Sequence, residues 1–360
     1  MPFFALPIFT FDGVCGSIAG DGRYSVWKLY YDFLQGFFLI FWAAHHHTRE
    51  VMLMKIGFIG AGKAGVTLGK YFCLHGVEVT GYYSRNIQSA REAAEFTAAN
   101  IYRCASDLLA DSDVLFLTVP DDVIAGCYRE LCRSAGSIQG KIFCHASGAM
   151  TAEAAFPGIE AAGAYGYSVH PLFAISDRFH SYSQLADVFF TLEGSAGRRD
   201  FMLEWLRKAG LQVQPIEAGC KAKYHAAAAI VSNQVVALFE EGRRMLMECG
   251  FQPEAAQKAL TPIFLGNAAH VADEGAVRAL TGPVQRGDTG TLAKHLAILE
   301  GSEDRLLYLL LSRRLLQLAR VKDAEYDDTS IGAFLDEEYR KGIEAAAAEL
   351  LQAGRKDEAK

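Results

Sequence analysis

One stretch constrains this chain's fold more than any other: Lys55-Ile56-Gly57-Phe58-Ile59-Gly60-Ala61-Gly62-Lys63-Ala64-Gly65. The apolar run Ile56 to Ile59 reads as a buried parallel strand, and it feeds directly into three glycines at GxGxxG spacing. Gly60 allows a tight turn out of the strand. Gly62 has no Cβ and lets a pyrophosphate approach the backbone, and Gly65 lets the next helix pack on the sheet. A helical pattern from Val66 to His75 and a second strand from Val77 to Tyr83 complete a βαβ start. The first N–H groups of such a helix have no internal partner, and its dipole favours an anion there. Gly60, Ala61, Gly62, Lys63, Ala64 and Gly65 are therefore the expected cradle for the phosphates of a dinucleotide. A glycine-rich turn with no ligand is the competing reading.

The length of 360 residues predicts about two domains. A chain that is 51% hydrophobic and 21% charged can build a sizeable core. A net charge of −7 gives no general attraction to nucleic acid or to an anionic membrane. The eight cysteines show no CxxC pair and no Cys/His metal spacing, so they read as reduced thiols of a cytoplasmic protein, with no metal site expected. Residues 1–53 differ from the rest. They lack the basic start of a signal peptide, and their most apolar part, Gly36 to Ala44, is shorter than the roughly 20 residues a bilayer requires. His45-His46-His47 is weak as a metal site. The fold is expected to begin near Met54, with 1–53 an extension or the product of a start codon placed too far upstream.

From 54 to about 216 strand and helix patterns alternate. Strands are predicted at 55–59, 77–83, 113–119, 141–145, 164–169, 187–192 and 211–216, with helices at 63–75, 87–98, 121–134, 151–156 and 199–209. This predicts an α/β fold: a doubly wound, mostly parallel sheet with helices on both faces. From 217 to about 319 the pattern is helical: Lys221 to Glu248, Pro253 to Gly266, Asn267 to Ala279 and Thr291 to Ala319. The expected organisation is an extension (1–53), a dinucleotide-binding domain (54–216), an all-helical domain (217–319) and a charged tail (320–360) with a helix near 333–353.

The end of the second strand bears on the choice of dinucleotide. Proteins that bind NAD usually place Asp or Glu there for the ribose 2′-OH. Here the stretch is Tyr82-Tyr83-Ser84-Arg85-Asn86. Ser84, Arg85 and Asn86 offer a hydroxyl, a guanidinium and an amide, all suited to a 2′-phosphate, so NADP is expected over NAD. The plain alternative is a surface Arg in a turn. Val119, Pro120 and Asp121 follow the third main strand and are expected to line the cofactor crevice, with Asp121 read equally as a helix N-cap.

His145-Ala146-Ser147-Gly148 ends one strand and Tyr167-Ser168-Val169-His170-Pro171 another, so both should open onto the same crevice. His170 precedes a proline that restricts it, and an imidazole suits proton transfer. A structural histidine is the competing reading. On the long helix, Lys221, His225 and Ser232 share a face with Asn233 on its flank. Lys221 and His225 stand about 6 Å apart along the axis and can hold one substrate oxygen, whereas Asn233 is about 12 Å beyond His225. A solvated helix face is the alternative. Arg286, in the polar loop Leu280 to Thr289, suits a carboxylate or phosphate, and Asp288 or Thr289 can cap the next helix.

These motifs in order (Gly60 to Gly65, Val119-Pro120-Asp121-Asp122, His145 to Gly148, His170-Pro171-Leu172, Lys221 with Tyr224-His225-Ala226-Ala227-Ala228, Ser232-Asn233, and Leu280 to Pro283 with Arg286-Gly287-Asp288) resemble the Rossmann-like proteins that carry a C-terminal DUF2520 domain. The resemblance covers about residues 54–318. It implies an NAD(P)-binding domain followed by a helical domain like those of 6-phosphogluconate dehydrogenase and pyrroline-5-carboxylate reductase relatives, and it implies a homodimer. His170-Pro171 is similar to the His-Pro of prephenate dehydrogenases. Lys221 with His225 is similar to the Lys and Asn of 3-hydroxyisobutyrate dehydrogenase relatives, with His in place of Asn.

Together these readings predict an NADP-dependent oxidoreductase acting on a small carbonyl/alcohol or imine/amine substrate in a cleft between domains. The expected catalytic residues are His170, Lys221 and His225, and the expected substrate-binding residues are Ser147, Asn233 and Arg286. The alternative is a non-catalytic NADP(H)-binding sensor or regulatory protein.

Overall fold

The computed structural model describes residues 54–299 and 301–358. The extension 1–53, with its histidine triplet, lies outside the described residues. The chain divides into two compact units that meet in sequence between Ser232 and Asn233.

The first unit is an eight-stranded sheet: β1 (Lys55–Ile59), β2 (Glu78–Tyr83), β3 (Asn100–Tyr102), β4 (Val114–Leu117), β5 (Ile142–His145), β6 (Tyr165–Pro171), β7 (Phe189–Gly194) and β8 (Gln212–Pro215). The spatial order is β3-β2-β1-β4-β5-β6-β7-β8. The first six strands follow the doubly wound order whose direction reverses between β1 and β4, the switch point where ligands bind. Every pairing is parallel except β6 with β7, where His170 lies opposite Thr191.

The strands are apolar on both faces because both faces are covered. Ile56, Phe58, Val114 and Phe116 enter one core, which holds Phe72 and Trp205 with ring centroids 5.7 Å apart. Ile59, Leu115, Leu117 and Phe143 enter the other. The helices are α1 (Lys63–Leu74), α2 (Ile87–Thr97), α3 (Ala105–Asp111), α4 (Asp121–Ser134), α5 (Ala152–Ala155) and α6 (Arg199–Lys208). Strand β3 and helix α3 carry no signal in the sequence: β3 is a three-residue edge strand with little burial, and α3 spans only two turns.

A long helical run then leads from the first unit into the second: α7 (Lys221–Ala229), a π-helical turn (Ile230–Gln234) and α8 (Val235–Glu248). The second unit continues with α9 (Pro253–Glu274), α10 (Ala276–Ala279), α11 (Thr289–Ile298), α12 (Ser302–Lys322) and α13 (Thr329–Glu358). The helix break expected at Asn267 is absent, and α9 runs on to Gly275, whose φ of 81° ends it. The stretch expected as one helix from Thr291 is two, and the tail helix is longer than expected. The core of this unit gathers Leu292, Leu296, Leu309, Leu316, Ile331 and Leu335. No buried side chain lies on α8 and only Ala256 is buried on α9. Among the described residues no helix is long and apolar enough to cross a membrane.

Candidate functional site

The glycine turn forms as its spacing predicts, and its three glycines answer different demands. Gly60 has φ 105°, and a Cβ there would lie 2.5 Å from the Thr118 carbonyl oxygen. A Cβ on Gly65 would lie 2.4 Å from the Gly60 oxygen and 2.5 Å from Thr118 Oγ1. Protein packing alone therefore requires both. Thr118 Oγ1 also donates to the Gly60 carbonyl at 2.9 Å, which locks the turn to the end of β4. A threonine at a strand end has no distinctive sequence signature, so the role of Thr118 emerges only in the fold. Gly62 differs: a Cβ there meets nothing within 4 Å. It stands at the N-cap of α1, which has no side-chain cap and no acidic residue in its first turn. Bare N–H groups beside open space fit a dinucleotide diphosphate.

At the end of β2, Ser84 is half-buried and Arg85 is exposed. Asn86 has a local task. Its side-chain oxygen accepts from the backbone N–H groups of Gln88 and Ser89 at 3.0 and 3.4 Å, capping α2. Val119 and Pro120 follow β4, and Asp121 opens α4 without an N-capping side chain there.

The turn after β5 is the hub of the site. His145 is fully buried, not open to the crevice as its strand-end position suggested. Its Nδ1 accepts from Ser147 N–H at 3.1 Å, and burial with the nearby charge of Lys221 lowers its pKa to about 3. Ser147 is 6% exposed, and its hydroxyl is committed twice. It donates to Asp121 Oδ2 at 2.6 Å and accepts from Met150 N–H at 3.1 Å. The hydroxyl expected to contact substrate also holds this turn to α4.

Lys221 opens α7 and is 1% exposed. Its Nζ donates to the Ser147 carbonyl at 2.9 Å and to Ser168 Oγ at 2.5 Å. Ser168, on β6, itself donates to the Ser147 carbonyl at 3.2 Å. Burial lowers the Lys221 pKa to about 8, while the charges of Glu193 and Asp121 resist the shift. Glu193, on β7, is also buried. Burial raises its pKa, opposed first by the N–H of Ala152, which it accepts at 2.9 Å.

His170 comes from β6, and burial followed by the charges of Lys221 and His225 lowers its pKa to about 4. It is therefore neutral at physiological pH. Its Nδ1 lies 2.7 Å from the Tyr224 hydroxyl. His225 is exposed on α7, its ring centroid 6.3 Å from that of His170. Both rings press on Gly148. A Cβ there would lie 2.5 Å from His225 Cδ2 and 2.8 Å from His170 Nε2. The structure thus brings His170, Lys221 and His225 around one turn at the C-terminal edge of the sheet. Tyr224, Ser168 and Glu193 join them. None of these three stands out in the sequence, since each is unremarkable until the fold sets its neighbours.

Ser232 turns back on its own helix, donating to the Ala228 carbonyl at 2.8 Å. Asn233 lies in the π-helical turn, a distortion frequent at functional sites. In the second unit Arg286 is exposed. Asp288 caps α11 there, accepting from Thr291 N–H at 2.9 Å and from its hydroxyl at 2.6 Å.

A Rossmann-like domain matches residues 45–171 and a domain of unknown function, DUF2520, matches residues 188–315. The second match begins at the start of β7, so it takes in the last two strands as well as the helices as far as the middle of α12. Among curated proteins none matches. The fold resembles a Thermotoga maritima protein (24% identity, 74% of this chain and 99% of that one, TM-score 0.59). It also resembles a Bacteroides fragilis protein provisionally named an NADP oxidoreductase (20% identity, 74% and 99%, TM-score 0.55). A reductive aminase from Aspergillus terreus, in complex with NADPH and ethyl-5-oxohexanoate, is more distant (14% identity, 81% and 95%, TM-score 0.50).

Proposed function

The chain belongs to the proteins that join a Rossmann-like domain to a DUF2520 domain, and from that membership and the site's geometry we propose that it is an NADP-dependent oxidoreductase. Its substrate is a small carbonyl/alcohol or imine/amine. The observation that carries the reading is the convergence of a buried lysine on the Ser147 carbonyl and of two imidazoles on the adjacent Gly148, at the same sheet edge as the bare N-terminus of α1. A non-catalytic binder has no need to bury an ammonium there at the cost of its desolvation.

In this reading Gly60, Ala61, Gly62, Lys63, Ala64 and Gly65 hold the diphosphate. Ser84 and Arg85 hold the 2′-phosphate, and Val119, Pro120 and Asp121 line the crevice. The nicotinamide, when bound, supplies or accepts the hydride. Lys221, with a pKa near 8, keeps a proton available close to neutrality and polarises the substrate heteroatom together with His225. His170 is the acid/base group. Arg286, exposed in the second unit, suits an acidic group, and Asn233 a polar one. The names of two structural neighbours, one provisionally an NADP oxidoreductase and one bound to NADPH, support the cofactor.

A homodimer is part of the proposal. It is supported by apolar side chains that α8 and α9 leave exposed, with Val236 at 66% and Ile263 at 70%. A cytoplasmic location is supported by free thiols at all seven described cysteines.

The test is saturable binding of NADPH or NADP, followed by nicotinamide oxidation across 2-keto acids, 3-keto acids and cyclic imines. Binding with turnover of one class is expected. Binding without turnover on a broad panel favours a sensor, and failure to bind either redox form overturns the proposal.

A further inference from the structure

Tyr224 has no part in the chemistry above, yet it makes the closest polar contact to His170. Its hydroxyl lies 2.7 Å from Nδ1, and the two rings meet edge to face at 5.5 Å and 87°. The direction of this hydrogen bond fixes what the other imidazole nitrogen can do. A phenol O–H is a stronger donor than a neutral imidazole N–H, and an imidazole nitrogen accepts better than a phenol oxygen. A separation of 2.7 Å suits either donor, so the relative strengths of the two groups set the direction. Thr191 stands opposite His170 in the antiparallel β6–β7 pair. Burial raises the Tyr224 pKa, opposed by the Thr191 hydroxyl, so the phenol keeps its proton at neutral pH. The phenol proton is thereby left to point at Nδ1.

Resting on the oxidoreductase reading, we propose that Tyr224 is a positioning residue: by donating to Nδ1 it holds neutral His170 in the tautomer that carries its proton on Nε2, the nitrogen against Gly148. His170 then presents a fixed N–H donor at the site. This narrows its acid/base role to the acid half. It donates a hydrogen bond to the substrate oxygen or nitrogen where negative charge builds during hydride addition, and Lys221 remains the group with a mobile proton.

The experiment is a long-range ¹H–¹⁵N correlation spectrum of protein labelled at histidine nitrogens, recorded at neutral pH without cofactor or substrate. The His170 signals are assigned by their loss in His170→Asn. A pyridine-like Nδ1 with a protonated Nε2 is expected in the wild type, moving toward the opposite tautomer in Tyr224→Phe. An unprotonated Nε2 in the wild type, or a tautomer indifferent to Tyr224→Phe, overturns the proposal. The wild-type spectrum decides even if the variant does not fold. It needs no turnover, so its outcome is independent of the oxidoreductase reading. Where turnover is measurable, Tyr224→Phe should lower kcat about 10-fold with the KM for NADPH unchanged.

Discussion

The hydroxyl of Ser147 donates to Asp121 at 2.6 Å, tying the turn after β5 to the first residue of α4. The carbonyl of the same serine receives Lys221. One residue therefore joins the loop expected to line the dinucleotide to the ammonium expected to act on the substrate. Ser147→Ala leaves the Met150 N–H without its acceptor and Asp121 without its donor. It should cost about 1–2 kcal/mol in urea unfolding. Asp121→Asn keeps an acceptor oxygen and should cost less. An equal or larger loss in Asp121→Asn would mean that charge, not this hydrogen bond, matters.

Gly62 and Gly65 separate ligand binding from folding. A methyl group on Gly62 faces open space, whereas one on Gly65 collides with the Gly60 backbone. Gly62→Ala should keep the wild-type Tm within a degree or two and weaken NADPH at least about 10-fold, by filling space the diphosphate requires. Gly65→Ala should lower Tm by several degrees, since the clash is within the protein. Unaltered affinity in Gly62→Ala would remove the phosphate-cradle assignment.

Much of this site is legible in the sequence because its residues lie at strand ends. The alternation of strand and helix places Gly60, Val119, Ser147 and His170 at the C-terminal ends of parallel strands, and hence along one edge. Helical spacing alone groups Lys221 with His225. What the sequence conceals is set by partners distant in the chain. Ser147 reads as an exposed strand-end hydroxyl until Asp121, 26 positions earlier, accepts its hydrogen bond. Tyr224 looks like any helix aromatic until β6 brings His170 to it. The reversal of β7 is equally hidden, because an apolar strand reads alike in either direction.

The proposed preference for NADP turns on Arg85. Its exposed guanidinium at the end of β2 suits a 2′-phosphate, while Asn86 caps α2. Arg85→Ala should weaken NADPH about 10-fold or more and leave NADH unaffected. Asn86→Ala should cost about 1 kcal/mol of stability and shift both cofactors alike. Isothermal titration with each dinucleotide checks both outcomes. Equal losses for NADPH and NADH in Arg85→Ala would point to a general electrostatic effect and away from 2′-phosphate recognition.

Lys221 is held against its own stability. Burial lowers its pKa from 10.5 to about 8, so the folded state carries a penalty whenever the lysine is charged. Below pH 8 folded and unfolded chains are both protonated, and the full penalty stands. Between about 8 and 10.5 the unfolded chain binds more protons, so this contribution makes the wild type more stable as pH rises. Lys221→Met removes the penalty. It does not orphan the acceptors, because Ser168 already donates to the Ser147 carbonyl. The variant should therefore exceed the wild type at pH 7 by about 1–2 kcal/mol, the desolvation gain less the lost hydrogen bonds, and should lose turnover. Its advantage should shrink steadily from pH 8 to 10.5, followed by urea unfolding of both proteins across that range. An advantage that stays constant with pH would mean that shape, not charge, governs the site's stability.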